Sequence, residues 1–294
     1  MRCVKCVIVG AGPAGMTAAI YLKRAGIDFV IVDKGAPGGE LLKTSVIENY
    51  PGVSNVAGPD LAMKMNNQLK DLGIKIEFNE VLDIIKAKKF IVKLKDEDIM
   101  TDNVILATGR IPNKLGLEGE EKFTSRGISF CAPCDGSFYK DKVVAIIGGG
   151  DTALTDAIYM ASLAKKVYLI VRGEIKASSV LVQRLKTKEN VTIIKPAKVT
   201  KLIYNEKIEG ILLDNGSEIQ LDGIFYAIGG KPNLIYVNSL GLEMDNGYLI
   251  VNNKMESNVK GIYGAGDIIK KDYYQIVTAT SDGAIAALTI SGKE

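Results

Sequence analysis

The residues best suited to chemistry lie together near the middle of the chain, in Cys131-Ala132-Pro133-Cys134-Asp135-Gly136. Two cysteines at i and i+3 fall on one face where a helix begins, close enough to form a small disulfide ring. The partial positive charge of a helix N-terminus favours the thiolate that disulfide exchange needs. Pro133 removes one amide donor and stiffens the turn, and Asp135 sets a proton donor or acceptor beside the pair. The spacing reads as a redox-active dithiol, with Cys131, Cys134 and Asp135 as candidate catalytic residues. A second C-x-x-C, Cys3 to Cys6, raises the question of zinc. The two pairs stand over a hundred residues apart, against roughly 15–20 in a zinc ribbon. Cys6 also runs into Val7-Ile8-Val9, a strand in which side chains at i and i+3 point to opposite faces. No metal is expected, and Cys3 and Cys6 are read as a chance buried pair.

The chain has no histidine. That excludes Ser-His-Asp and Cys-His catalysis and the commonest metal ligand. Proton transfer at the cysteines is left to a carboxylate, a tyrosine, a lysine or water. With 294 residues, 47% of them apolar, and a net charge of +3, the composition fits a soluble globular protein with room for two domains. No basic block points to nucleic acid, and no run approaches the ~20 apolar residues of a membrane span. The apolar first twenty residues carry Gly-Pro punctuation foreign to a signal peptide. Four cysteines are too few for a secreted disulfide framework, and a catalytic pair suits the reducing cytoplasm.

Two repeats frame the cysteines. Val7–Val9 enters Gly10-Ala11-Gly12-Pro13-Ala14-Gly15, a helix follows over Met16–Arg24, and the strand Phe29–Val32 ends at Asp33. This is a dinucleotide fingerprint in its required context: Gly10 for the turn, Gly12 for backbone approach to a pyrophosphate, Gly15 for helix packing, Asp33 for ribose hydroxyls. Gly38 to Gly52 reads as a ligand-lining loop without periodicity, Asp60–Leu72 as a helix, and Ile74–Val104 as β-rich, before Val104–Gly109 closes a buried strand. A second unit then aligns without a gap, Gly10 on Gly148 and Ala19-Ile20-Tyr21 on Ala157-Ile158-Tyr159. In that register Asp33 falls on Val171, followed by Arg172 and Lys176, so the second loop lacks the acid that holds a ribose. Residues 191–228 read as a meander. Near the C-terminus Gly264-Ala265-Gly266-Asp267 places an acid after a glycine turn, suited to a ribityl chain and a flavin, and an alanine-rich helix runs to Ile290.

Together these residues resemble the low-molecular-weight thioredoxin reductases over essentially the whole chain. The match lies in Gly10–Gly15, Gly38-Gly39-Glu40-Leu41, Glu48-Asn49-Tyr50-Pro51-Gly52, Ala107-Thr108-Gly109, Ser129–Gly136, Gly264–Asp267 and Gln275. The resemblance implies an α/β fold of two Rossmann-like, three-layer domains, the second inserted in the sequence of the first. Residues 1–113 and 234–294 would bind FAD, and residues 114–233 would form the central redox domain. It implies FAD held by Gly10, Gly12, Pro13, Ala14, Gly15, Asp33, Gly39, Glu40, Leu41, Asn49, Val81, Thr108, Gly109, Gly266, Asp267, Gln275 and Ile276. It further implies a homodimer, thioredoxin as partner, and a swivel that presents the cysteines alternately to flavin and to thioredoxin. By position Cys134 would face the flavin, Cys131 would attack the partner disulfide, and Asp135 would serve as acid and base.

The departures concern the electron donor. NADPH-using members carry a His-Arg-Arg run with a further arginine where this chain has Val171-Arg172-Gly173 and Lys176, and two glutamates where it has Thr155 and Asp156. Tyr274 replaces an arginine, and Gly230 a histidine. The chain looks more like the ferredoxin-dependent members, so ferredoxin is the expected donor and NAD(P)H binding is doubtful. A weakened NAD(P)H site, a dithiol oxidase of similar fold that passes electrons to oxygen, and a flavin-binding regulatory protein are the alternatives. An intact thiol pair with a placed acid argues against the last.

Overall fold

The apolar runs and glycine turns build two compact units, seen in a computed structural model that describes residues 2–292. The first holds residues up to 42, residues 47–111, and residues from 231 onward; the second holds 43–46 and 112–230. The chain begins with β1 (Arg2–Val9), α1 (Pro13–Ala25), β2 (Phe29–Asp33), α2 (Gly58–Asp71), β3 (Ile76–Phe78), β4 (Val81–Lys86), β5 (Phe90–Leu94), β6 (Asp98–Leu106) and β7 (Arg110–Pro112). The second unit follows as α3 (Glu120–Phe123), β8 (Ile128–Ser129), α4 (Ala132–Asp135), β9 (Val143–Ile147), α5 (Asp151–Ala161), β10 (Lys166–Ile170) and α6 (Ser179–Lys186). It continues through β11 (Val191–Ile194), β12 (Val199–Tyr204), β13 (Ile208–Leu213), β14 (Glu218–Gln220) and β15 (Gly223–Tyr226). The chain returns by β16 (Gly230–Pro232) and ends with β17 (Met244–Asp245), β18 (Tyr248–Leu249), β19 (Ile262–Gly264) and α7 (Ile276–Ser291).

In the first unit the sheet order is β3-β2-β1-β6-β5-β4, with β19 also on β6. β1 lies between β2 and β6 in parallel register, Val7 opposite Val30 on one side and Val104 on the other. A strand covered on both faces must be apolar throughout, and Cys6, Val7 and Ile8 are wholly buried. Alternate residues feed two cores. Cys6 and Ile8 join Met16, Leu22 and Ile105 under the helices, while Val7 and Val9 join Val32, Val92 and Val104 on the other face. Alanines line the meeting of α1 and α7, with Ala14, Ala18, Ala279, Ala286 and Ala287 all buried in the helix-side core.

The second unit repeats the plan. Its parallel sheet runs β11-β10-β9-β15-β8. One face packs Val144, Ile146 and Leu169 against Ala153, Leu154 and Ala157 of α5. The other packs Ala145, Ile147 and Tyr226 against the antiparallel β12-β13-β14. Both units are Rossmann-like.

Four details depart from the sequence reading. α1 starts at Pro13 and α2 at Gly58, earlier than the periodicity indicates, because proline fits the first turn of a helix, where no amide is needed. The loop after Gly38 contains a 3-10 turn, Gly39–Lys43. β11 pairs in parallel with β10 instead of joining the meander, and Pro196 separates it from β12. Cys3 is exposed and only Cys6 is buried, since they stand three residues apart on β1. Among the described residues no helix is long and apolar enough to cross a membrane, and no cluster of metal-ligating side chains occurs.

Candidate functional site

The first unit holds a cradle whose shape suits a dinucleotide. Gly10, at the end of β1, turns the chain with φ +107°. Gly12 is the N-cap of α1 with no side-chain cap, so its first amides remain available to an anion. A methyl added at Gly12 would meet nothing within 4 Å, whereas one at Gly15 would lie 1.9 Å from the Gly10 carbonyl oxygen. The helix therefore approaches the turn as closely as backbone allows while leaving open space in front of Gly12. Pro13 and Ala14 form the first turn, with Ala14 buried. Asp33, at the end of β2, accepts from the Ala11 amide at 2.6 Å and from the Gly35 amide at 2.8 Å. These bonds fix its carboxylate at the mouth of the loop.

The remaining candidates come from distant parts of the same unit, and of these Gly39 alone is seen against Gly12. Gly39 approaches Gly12, a methyl there lying 3.5 Å from the Gly12 Cα. Glu40 and Leu41 follow in the 3-10 turn, with Leu41 buried. Val81 opens β4 and is buried in the core on the side away from the helices. Thr108 donates to the Asn233 carbonyl at 2.6 Å, and the Gly109 carbonyl accepts from the Asn233 amide at 3.0 Å. Asn49 Nδ2 donates to Gln275 Oε1 at 3.0 Å. Gln275 is the N-cap of α7, in a capping box with Thr278, and Ile276 is the first residue of that helix.

Gly266 and Asp267 begin a further 3-10 turn. Burial pushes the Asp267 carboxyl up, while the cations Arg110 and Lys271 pull it down, and Glu40 and Asp282 act to raise it. Arg110, absent from the sequence reading, stacks its guanidinium 3.8 Å over the Tyr274 ring. The open space before Gly12, the uncapped helix, and the acids Asp33 and Asp267 fit FAD, with a pyrophosphate at α1 and an adenosine ribose at Asp33.

The second unit holds the cysteines. Cys131 is the N-cap of α4 and is bonded to Cys134 in a disulfide, with Cα atoms 5.3 Å apart. Cys131 Sγ also receives the Cys134 amide at 3.2 Å. Cys131 is 8% exposed, whereas Cys134 is exposed. Ser129, the last residue of β8, ties the motif together. Its hydroxyl donates to Asp135 Oδ2 at 2.7 Å and accepts from the Cys131 amide at 3.0 Å. The spacing rules applied to the cysteines pass over Ser129, which enters the sequence reading only as the first residue of the matched Ser129–Gly136 stretch. Tyr139 is held above its ordinary range, first by burial and then by Asp135, which keeps it from acting as a base at neutral pH. Below α4, Gly136 packs on α5, where a methyl would lie 2.8 Å from Met160 Sδ.

The second glycine loop differs from the first where the alignment indicates. Val171 is buried at 2% exposure, and a methyl added at Gly149 would lie 2.7 Å from its Cγ1. Where Asp33 takes the amide of Ala11, the matching place presents valine methyls. Arg172 and Lys176 beside it are exposed.

The family model described as pyridine nucleotide-disulphide oxidoreductase matches residues 4–283. The thioredoxin reductase of Mycoplasma pneumoniae is 42% identical over 292 residues, covering 96% of this chain and 93% of that protein. Among solved structures, the thioredoxin reductase of Lactococcus lactis superposes with a TM-score of 0.94 at 34% identity, covering 98% of each chain. A ferredoxin-flavin thioredoxin reductase from Clostridium acetobutylicum gives a TM-score of 0.56 at 32% identity, over 100% of this chain and 98% of that one.

Proposed function

The chain belongs to the pyridine nucleotide-disulphide oxidoreductase family, and within it we propose a thioredoxin reductase that takes electrons from ferredoxin, through FAD, to Cys131–Cys134 and on to thioredoxin. The observation that carries the disulfide chemistry is the Cys131–Cys134 bond with Ser129 and Asp135 around it. Bound FAD would supply two electrons, accepted from its donor, to break the sulfur–sulfur bond. Two protons complete the dithiol. With no histidine in the chain, Asp135 is the group beside the sulfurs that can hold and return one, and Ser129 fixes its carboxylate at 2.7 Å. One thiolate then attacks a partner disulfide, and the other sulfur displaces the reduced partner and closes the ring again. The family resemblance gives the attack to Cys131, which must first become accessible, since the exposed residue of the pair here is Cys134.

In the first unit Gly10, Gly12, Pro13, Ala14, Gly15, Asp33, Gly39, Glu40, Leu41, Asn49, Val81, Thr108, Gly109, Gly266, Asp267, Gln275 and Ile276 would hold FAD. The donor reading rests on Val171, which puts a buried methyl where a ribose-binding acid is needed. The likeness to the ferredoxin-flavin enzyme supports it. A second reading, reduction by NAD(P)H, is favoured by the retained loop Gly148-Gly149-Gly150 and by exposed Arg172 and Lys176, which suit a 2′-phosphate. Homodimerisation and a cytoplasmic location belong to the same proposal. The test is anaerobic: the flavin is followed while NADPH, NADH or reduced ferredoxin is added, and thioredoxin disulfide is supplied to the reduced protein. Bleaching by ferredoxin alone, then reoxidation by thioredoxin, is expected. Bleaching by NADPH would select the second reading, and a reduced flavin that thioredoxin leaves unchanged would overturn the function itself.

A further inference from the structure

The turn that carries Asp267 is held from behind by an enclosed ion pair that the disulfide chemistry does not use. Gly266 opens the turn with a left-handed φ of +79°. Its amide donates to Asp282 Oδ2 at 3.1 Å, and the same oxygen accepts from Lys271 Nζ at 2.6 Å. The two side chains are only 14% and 11% exposed. Asp282 stands on α7, and its neighbour Gly283 meets the first turn of α1 so closely that a methyl there would lie 2.0 Å from the Ala14 carbonyl oxygen. Gly266 reaches the same residue, a methyl on it lying 3.1 Å from Ala14 Cβ. One carboxylate thus joins α7, the Gly266–Asp267 turn and the backing of the α1 N-terminus.

We propose that Asp282 and Lys271 are positioning residues for the cofactor: their pair fixes the Gly266–Asp267 turn against α1 in the geometry that receives FAD. The proposal rests on the reading that the first unit binds FAD. Enclosing a carboxylate without a partner leaves its desolvation uncompensated. Lys271 supplies that partner, and the charged oxygen then holds the Gly266 amide by a charge-assisted bond. Loss of either member leaves the other charge enclosed and unpaired, and the turn relaxes to relieve it. Arginine at 271 keeps the charge, whereas methionine keeps most of the volume without it.

The test uses the full chain stripped of flavin and titrated with FAD, with binding read from quenching of flavin fluorescence. Asp282→Asn and Lys271→Met are each expected to raise the FAD dissociation constant about 10- to 100-fold, the loss of one charge-assisted contact. Lys271→Arg should stay within about threefold of wild type. The double variant Lys271→Met/Asp282→Asn should bind no worse than the weaker single variant, because the two act as one unit. Leu69→Ala, a wholly buried position near the C-terminal end of α2, supplies a destabilised control whose FAD affinity should match wild type. If Asp282→Asn does not fold, the contrast between Lys271→Met and Lys271→Arg decides the matter. Wild-type affinity in the pair variants, or an equal loss in Leu69→Ala, overturns the positioning role alone. Failure of the wild-type chain to bind FAD overturns both that role and the reading beneath it.

Discussion

Replacing Val171 by aspartate should give the second glycine loop the ribose-binding acid it lacks. In the first unit Asp33 Oδ2 takes the Ala11 amide at 2.6 Å. The register that sets Gly10 on Gly148 sets Ala11 on Gly149 and Asp33 on Val171. Aspartate is close to valine in size, so the substitution fits a site that is 2% exposed. Burying the new charge carries a cost, which the Gly149 amide offsets by donating as Ala11 does. A ribose hydroxyl then gains a charged acceptor, and a contact of that kind is worth about 1.5–3 kcal/mol. At ~1.4 kcal/mol per decade, NADH affinity should rise about 10- to 100-fold. NADPH should benefit less, because its 2′-phosphate meets a like charge. The assay is anaerobic stopped-flow at the flavin absorbance. Wild type should stay oxidised with micromolar NADH or NADPH while reduced ferredoxin bleaches it. Val171→Asp should respond to NADH at concentrations about 10- to 100-fold lower than wild type requires. Rapid bleaching of wild type by micromolar NADPH would refute the reasoning, as would identical NADH responses from the two proteins.

Gly15→Ala forces a methyl to within 1.9 Å of the Gly10 carbonyl; α1 must withdraw, and the purified chain should carry little or no flavin, measured as visible absorbance per chain, with the Cys131–Cys134 disulfide still formed. Cys134→Ser should keep FAD and trap thioredoxin as a mixed disulfide through Cys131, while Cys131→Ser should not; trapping by Cys131→Ser alone reverses the assignment of roles. Burial raises the Asp156 carboxyl from 3.8 to about 7, so the folded protein binds the extra proton and this group's contribution to stability is greatest in acid. It falls as pH rises from about 4 to about 7 and is level above that, a span of about 4 kcal/mol. Asp156→Asn should flatten that slope in urea unfolding of the second unit, and an unchanged slope would mean that Asp156 ionises without penalty in the fold.

Local spacing carried the parts of this protein whose partners are close in sequence. The turn from Gly10 to Gly15 and the cysteines at i and i+3 are readable because a βαβ unit and a helix start are built from neighbouring residues. Asp33 belongs with them, since a short crossover returns β2 beside β1. The departure at Val171 was legible for a related reason: the repeat supplies its own reference, and the valine stands where the first copy has an acid. The two-unit plan followed from the same repeat.

Other features depend on chain segments that meet only after folding. Ser129, though only two residues before Cys131, joins the cysteine site through the orientation that the end of β8 gives its hydroxyl toward Asp135 and the Cys131 amide. Asn49 finds Gln275 across 226 residues. Arg110 finds Tyr274, and Lys271 and Asp282 close over the Gly266 amide. The edge position of β11 is not legible either, since a run of four β-branched residues, Val191-Thr192-Ile193-Ile194, fits a parallel sheet or a meander equally well. The sequence by itself determined which turns can hold a phosphate and which sulfurs can pair, because backbone geometry sets both within a few residues. Only the tertiary structure decided which charges those turns keep, because a charge is enclosed, paired or solvated according to segments that the sequence holds far apart.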